Sequence, residues 1–367
     1  MEQLKAFLKR KNIVISAKRY GIDALGAMAQ GLFCSLLIGT IINTLGEQMG
    51  VPFLVDVGSY ASAMSGAAMA VAIGYALQAP PLVLFSLVTV GYAANALGST
   101  SLIPDQAGAG GPLAVLFIAV IAAEFGKAVS KETKIDILVT PLVTILVGVG
   151  LSAWWAPAIG TAATAVGNII MWATDLQPFL MGIVVSVVIG VALTLPISSA
   201  AICAAFGLTG LAGGAAVAGC CANMVGFAVL SFRENRWGGL VSQGLGTSML
   251  QMPNIVRNPR IWLPAILTSA ITGPLATCVF HLEMNGPPVS SGMGTCGLVG
   301  QIGVWTGWLA PSERAIANGA VAITPGVMDW AGLILISFVL PAVLTWLSGL
   351  FFRRIGWIKP GDLTLPQ

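Results

Sequence analysis

Pro196-Ile197-Ser198-Ser199, leading to Gly207-Leu208-Thr209-Gly210, is echoed later in the chain by Pro288-Val289-Ser290-Ser291, leading to Gly297-Leu298-Val299-Gly300. Both copies border long hydrophobic segments. A Pro-x-Ser-Ser break there interrupts a helix and leaves polar backbone at membrane depth, where it is tolerated only against protein or a water-filled cavity. The interval from the proline to the first glycine of Gly-Leu-x-Gly differs by two residues between the copies. Glycine and serine at these points also suit close helix packing in lipid.

Working outward, the whole chain has the composition such breaks require. Its 367 residues are 56% hydrophobic and 8% charged, with a mean hydropathy of +0.90. Too few polar groups remain to cover a soluble surface, so this is an integral membrane protein. The apolar runs are continuous rather than alternating over ten residues, which excludes a β-barrel pattern. The expected fold is an all-α polytopic membrane protein with about eight full spans and two re-entrant hairpins.

About 20 apolar residues cross the hydrocarbon core, and this length places spans near 21–44, 60–78, 80–97, 112–129, 136–154, 177–195, 262–282 and 327–352. Residues 196–232 are too long for one span and are broken by Gly207, Gly210, Gly213 and Gly214. Residues 285–308 begin with Asn285-Gly286-Pro287-Pro288 and are scattered with serine and glycine. Each is expected to enter the membrane and return to the side it left. Residues 158–174 read as a surface or partly inserted helix, too polar and glycine-interrupted for a span. Residues 1–20, where Phe7, Leu8, Ile13, Val14 and Ile15 mix with basic residues, read as an interfacial amphipathic helix. The expected organisation is 1–20 as that helix, 21–176 as a scaffold and dimerisation half, 177–352 as a transport half, and 353–367 as a cytoplasmic tail.

Charge tests this topology. Lysine and arginine cluster at Lys5–Arg19, Lys127–Lys134, Arg233–Arg260 and Arg353–Lys359, with Arg314 apart. With a cytoplasmic N-terminus, the spans and hairpins above deliver every cluster to the cytoplasm, as the positive-inside rule expects. Glu47, Asp56, Asp105, Asp175 and the neighbours Glu313 and Arg314 fall on the other side. The two breaks then enter from opposite faces, an inverted repeat. Both termini are expected in the cytoplasm of a bacterial inner membrane.

Ionisable groups at membrane depth cost at least about 2.5 kcal/mol at a helix centre unless paired or hydrated. The run His281-Leu282-Glu283-Met284-Asn285-Gly286 sets three polar side chains at alternate positions where the span must break. Glu283 can accept from hydroxyls and His281 can donate or accept; the other reading is an interfacial loop facing water. Asn223 lies in an apolar stretch and needs a partner, either a solute or a neighbouring helix. Structural roles are expected for Asp23 (pairing with Lys18 or Arg19), for Glu124 with Lys127 (an ion pair three residues apart) and for Asp329 (a helix cap). Cys34, Cys203, Cys220, Cys221, Cys278 and Cys296 lack any metal or redox spacing and read as packing residues. Gly244-Leu245-Gly246-Thr247-Ser248 lacks the Lys-Ser/Thr ending and preceding strand of a phosphate loop. Gln243, Thr247, Ser248, Gln251 and Asn254 are expected to form a polar, partly helical layer beneath the first hairpin, with Arg257 and Arg260 at the headgroups. No catalytic residue, metal, cofactor or nucleic-acid partner is expected.

In the segments Thr194–Ala201, Gly244–Pro264 and His281–Gln301, above all Ser291-Gly292-Met293-Gly294-Thr295-Cys296-Gly297-Leu298-Val299-Gly300, the chain resembles the membrane component (EIIC) of the sugar phosphotransferase system. The branch it resembles is the stand-alone, perfringolysin regulator-like one within the glucose-type EIIC superfamily. That resemblance implies a homodimer whose second half carries the solute between two hairpins by an elevator motion. It also implies that Glu283 matches the family's sugar-binding glutamate and His281 its site histidine. The family's Glu-Pro dipeptide is absent here, Glu283 preceding Asn285-Gly286-Pro287. No phosphotransfer module is expected after the last span, so any phosphate transfer is expected to need separate partner proteins.

The expected function is inward transport of a small polar solute, a sugar or sugar derivative. Ser198, Ser199, Ser290 and Ser291 would offer backbone or hydroxyl contacts, and Asn223, His281, Glu283 and Asn285 specificity. Two alternatives stay open: a membrane sensor that binds a solute without moving it, and an ion-coupled organic-anion transporter, since helix N-termini favour carboxylates.

Overall fold

The computed structural model describes residues 2–100, 102, 108–174 and 176–365; Asp105 and Asp175, expected on the outer side, lie outside the described residues. The chain divides into two compact units, Met1–Ala163 and Thr164–Gln367. Among the described residues there is no β-strand, only an isolated bridge between Gly210 and Met284. Among the described residues, seven helices are long and apolar enough to cross a membrane, eight if a bent pair counts as one span.

The first unit begins with α1 (Glu2–Arg10), followed by α2 (Arg19–Met49), the bent pair α3 (Pro52–Ala63) and α4 (Ser65–Ala76), α5 (Pro81–Gly98), α6 (Gly111–Val129) and the greater part of α7 (Asp136–Thr174), whose last turns from Thr164 belong to the second unit. Pro52 and Pro81 sit in the first turns of their helices, where a missing N–H costs nothing. The helix α7 corrects the expected break after 154: one helix runs from Asp136 to Thr174 with Pro141 and Pro157 inside it. Glycine did not interrupt it. A Cβ at Gly160 would lie 2.2 Å from the Thr100 carbonyl oxygen, so that glycine permits a backbone approach while the helix continues.

Three helix ends in this unit are gathered by cations. Lys127, 2% exposed, donates through Nζ to the carbonyls of Asn12 (2.7 Å) and Leu77 (3.0 Å) and pairs with Glu124 at 2.9 Å. Arg19 donates to the same Leu77 carbonyl (2.6 Å) and to Asn12 Oδ1 (3.2 Å). Lys11 donates to the Ser130 carbonyl. Cations favour the carbonyl-rich C-terminal end of a helix, and α1, α4 and α6 end here. The expected Glu124–Lys127 pair is present. Asp23 forms no ion pair with Lys18 or Arg19 among the described residues, because Arg19 is drawn to the helix-end carbonyls instead.

The second unit contains α8 (Pro178–Thr194), α9 (Ser199–Ala205), α10 (Gly210–Leu230), α11 (Phe232–Val241), α12 (Met252–Arg257), α13 (Pro259–Val279), α14 (Pro288–Ser291), α15 (Val299–Leu309), α16 (Glu313–Ala317) and α17 (Val327–Arg354). At its centre lies α10, buried along almost its whole length. Ser186 faces Gly219, Gly190 faces Gly219 and Asn223, and Thr194 reaches Asn223. The numbers rise together, so α8 and α10 run parallel. On α13 they fall: Thr277 Oγ1 donates to the Pro178 carbonyl (2.8 Å) and Ser186 Oγ to that of Ser269 (2.7 Å). Thus α13 is antiparallel to α8. Gly226 meets Thr345 and Leu230 meets Gly349, which makes the last helix, α17, parallel to α10. Asp329 caps α17 as expected, accepting from the Gly326 N–H at 2.7 Å.

Two parallel helices in succession need a return path. Residues 195–209 supply it, with only the two turns of α9 helical. The segment 196–232 therefore has unequal arms, a short broken one and a full-length helix. The second break is tighter: Ser312 N donates to the Asn285 carbonyl (2.8 Å), and a Cβ at Gly286 would lie 2.3 Å from the Gly303 carbonyl oxygen. Residues 285–312 thus fold out and back on themselves.

Candidate functional site

The repeated turns meet. In α9, Ser199 Oγ donates to the Gly292 carbonyl (2.7 Å); at the end of α14, Ser291 Oγ donates to that of Leu208 (2.7 Å). Each break thereby satisfies a carbonyl that the other leaves free, as non-helical backbone at membrane depth demands. Ser199 is 3% and Ser291 0% exposed. Ser198 caps α9, accepting from the Ala201 N–H at 3.1 Å, and stays partly exposed. Ser290 is buried against Gly303. The four serines are brought into one junction in two roles, a cap and wall at Ser198 and Ser290, and cross-links at Ser199 and Ser291.

Beside this junction the chain turns at His281, whose φ is +46°, and runs on through a single bridge at Met284. The bridge N–H of Met284 donates to the Gly210 carbonyl, and Gly210 N to that of Met284, both at 3.0 Å. Leu282 and Met284 point into an apolar cluster with Val217, Val304 and Trp308. Alternation about Met284 sends Glu283 to the exposed face, and His281, at the left-handed turn before it, is exposed as well. Asn285 is buried and joins the two sets, donating to Glu283 Oε2 (2.8 Å) and accepting from Gly210 N (3.2 Å). The close approach rests on Gly214, where a Cβ would stand 1.7 Å from the Leu282 carbonyl oxygen.

Asn223 is placed apart from that face. It donates to the Gly219 carbonyl (3.1 Å) and to Ser269 Oγ (3.2 Å), and its Oδ1 accepts from Thr194 Oγ1 (3.3 Å) and Trp262 Nε1 (3.0 Å). Its hydrogen-bonding capacity is engaged by α8, α10 and α13, the helix-tying role of the two considered.

Sequence reasoning missed the contribution of 312–318. Ser312 Oγ donates to the Gly286 carbonyl (2.9 Å), Asn318 Nδ2 donates to Thr209 Oγ1 (3.1 Å), and Arg314 lies over Gly207. The short helix α16 so bridges the base of the second break and the turn of the first. A serine placed as a cap before a short helix was the available signal. Gln301, on the returning arm, donates to Ser337 Oγ (3.0 Å) while its buried Oε1 has no partner among the described residues.

Beneath the junction lies the expected polar layer. Gln243, Thr247, Ser248, Gln251 and Asn254 are all buried. Asn254 donates to Gln251, Gln251 to Gln243 and Gln243 to Ser231 at 2.8–2.9 Å. Ser248 bonds Thr194 (2.7 Å), and Thr295 at the second break donates to the Gly244 carbonyl. The tail is docked here as well: Leu363 O accepts from Asn235 (2.8 Å) and Gln251 (3.0 Å), and Thr364 O from Asn254 (2.8 Å). All six cysteines are free thiols.

These features define a polytopic all-helical membrane protein with two broken segments interlocked inside its second unit. The family model described as "Phosphotransferase system, EIIC" matches residues 22–365. The chain belongs to that family, the multi-pass membrane proteins of sugar transport that work with other proteins of the phosphotransferase system. Searches of curated proteins and of solved structures gave no match.

Proposed function

We propose that this EIIC protein holds one sugar or sugar derivative against the exposed face formed by His281, Glu283 and the Ser198 end of α9. The observation that carries the reading is the reciprocal bonding of Ser199 and Ser291 across the two breaks. It supports a pair of re-entrant hairpins of opposite entry, the arrangement in which discontinuous helices bind solutes near the midplane. Glu283 accepts from solute hydroxyls, Asn285 holds its carboxylate in place, and His281 supplies a second donor or acceptor. Ser198 and Ser290 shape the floor, while Asn223 ties the helices away from that face. Residues 177–352 move as one body to give alternating access, and 21–176 form the scaffold of a homodimer. The basic clusters support cytoplasmic termini in a bacterial inner membrane. In this reading the chain is of the stand-alone, perfringolysin regulator-like branch, and phosphate reaches the solute only through separate proteins.

Purified protein in proteoliposomes, offered a panel of labelled sugars, tests it. Flux of one of them is expected, and Glu283→Gln should abolish binding of that sugar while leaving a folded protein. Unchanged binding in a folded Glu283→Gln variant removes this face from the solute site.

A further inference from the structure

We propose that the arginine-bearing end of α10 and α17 carries a site for one anionic phospholipid, with an acyl chain in an apolar cavity and the phosphate on Arg233. The cavity has a volume of about 210 Å³, below the roughly 300–1,000 Å³ of sites for drug-sized ligands and open to a chain end. Its walls are Val229, Leu230, Phe232, Leu240, Trp346 and Leu350, and Gly349 lets the Leu230 side chain pack directly against α17. Arg233 and Arg353 stand at the mouth.

The two arginines are not equivalent. Arg353 is committed, donating to Glu234 Oε1 (2.9 Å) and to the Leu230 carbonyl (3.2 Å). Arg233 is exposed and forms no hydrogen bond or ion pair among the described residues. The Arg353–Glu234 pair cancels itself, so the mouth keeps one uncompensated positive charge beside an apolar recess. That combination fits an amphiphile with an anionic head. Position selects a membrane lipid over a free phosphate compound. The outer face of α17 beside the cavity is apolar and exposed, with Val343 at 46%, Trp346 at 48% and Phe351 at 59%, and it turns charged only at Arg353-Arg354. A tryptophan about two turns before a pair of arginines marks the level where hydrocarbon gives way to headgroups. By the positive-inside rule this is the inner leaflet, where anionic lipids attract a nearby basic residue by about 1 kcal/mol.

Native mass spectrometry of the full-length protein, exchanged into equal phosphatidylglycerol and phosphatidylcholine, tests the site. One phosphatidylglycerol per chain is expected to be retained in preference. Arg233→Gln should reduce that preference about fivefold, the equivalent of about 1 kcal/mol, and Leu240→Trp, which fills the cavity, should remove the retained lipid with Arg233 still present. Equal retention of both lipids by the unmodified protein, or undiminished preference in Arg233→Gln, overturns the proposal. So does displacement of the lipid by inorganic phosphate alone, which would make the arginine an anion site without a chain pocket. The headgroup preference and the phosphate competition use the unmodified protein, so they decide the matter even if a variant misfolds.

Discussion

At the scale of single residues, the second unit assigns different tasks to polar groups that look alike in the sequence. Asn223 and Asn285 both interrupt apolar surroundings, yet Asn223 is consumed by four bonds to three helices while Asn285 holds a carboxylate that faces outward. Interhelical hydrogen bonds in membranes average about 0.6 kcal/mol and reach about 1.7. Asn223→Ala, which strands Trp262 Nε1 while Thr194 Oγ1 keeps Ser248 and the Gly190 carbonyl, should therefore cost about 1–2 kcal/mol in a reversible unfolding assay. Solute affinity per folded molecule should be retained; a fall in affinity without loss of stability would move Asn223 into the solute site. The sequence disclosed that this asparagine needed partners, because burial makes that obligatory. It could not disclose which, since Trp262 and Ser269 approach only through the packing of α13.

At the scale of elements, the spans were legible because length and apolarity are what the bilayer selects. The helices α2, α5, α6, α8, α13 and α17 all fall where an apolar count places them. Length failed at α7, where Gly160 read as an interruption but serves the approach of the Thr100 carbonyl. The juxtaposition of the two Pro-x-Ser-Ser turns was also anticipated, though not their chemistry. Ser199 and Ser291 are donors across the junction rather than groups pointing at open space. Each cross-link removed leaves a buried carbonyl unpaired, at about 1–3 kcal/mol. Ser199→Ala and Ser291→Ala should each speed hydrogen exchange at residues 288–298. In a double-mutant cycle the pair should couple, because the same two elements are being released. Strict additivity would show that the two bonds act on separate structures.

At the scale of the whole molecule, both ends of the chain are tied down by groups with no sequence pattern. The C-terminal segment offers backbone carbonyls to Asn235, Gln251 and Asn254, and a carbonyl looks the same in every residue, so that docking could not be read in advance. The N-terminal helix α1 is fastened by charge: Glu132 pairs with Arg10 (2.7 Å) and Lys11 (2.5 Å). The Lys11 hydrogen bond, aided by both positive charges, holds the Glu132 carboxyl below its ordinary value of 4.5. A depressed carboxylate stabilises the folded state above the unfolded pKa and loses that contribution as pH falls through the lower, folded value. Exchange protection of residues 6–12 should thus persist at neutral pH and weaken below about 4.5. Glu132→Gln should remove the pH step, and a step that survives in that variant would assign it to another group. High salt should blunt the same contact, since the carboxylate is exposed.

The unequal first break also bears on biogenesis. Residues 195–209 leave the ribosome long before their partners, for Ser199 waits 93 residues for Gly292, and Leu208 waits 83 for Ser291. Until those arrive, a stretch of unpaired backbone cannot settle in hydrocarbon and must linger in the translocon or at the lipid surface. Nascent chains arrested before Gly286 should therefore remain open to protease near Phe206, and completed, released chains should be shielded. Insertion of this half is then a single late event rather than a series of spans laid down in order.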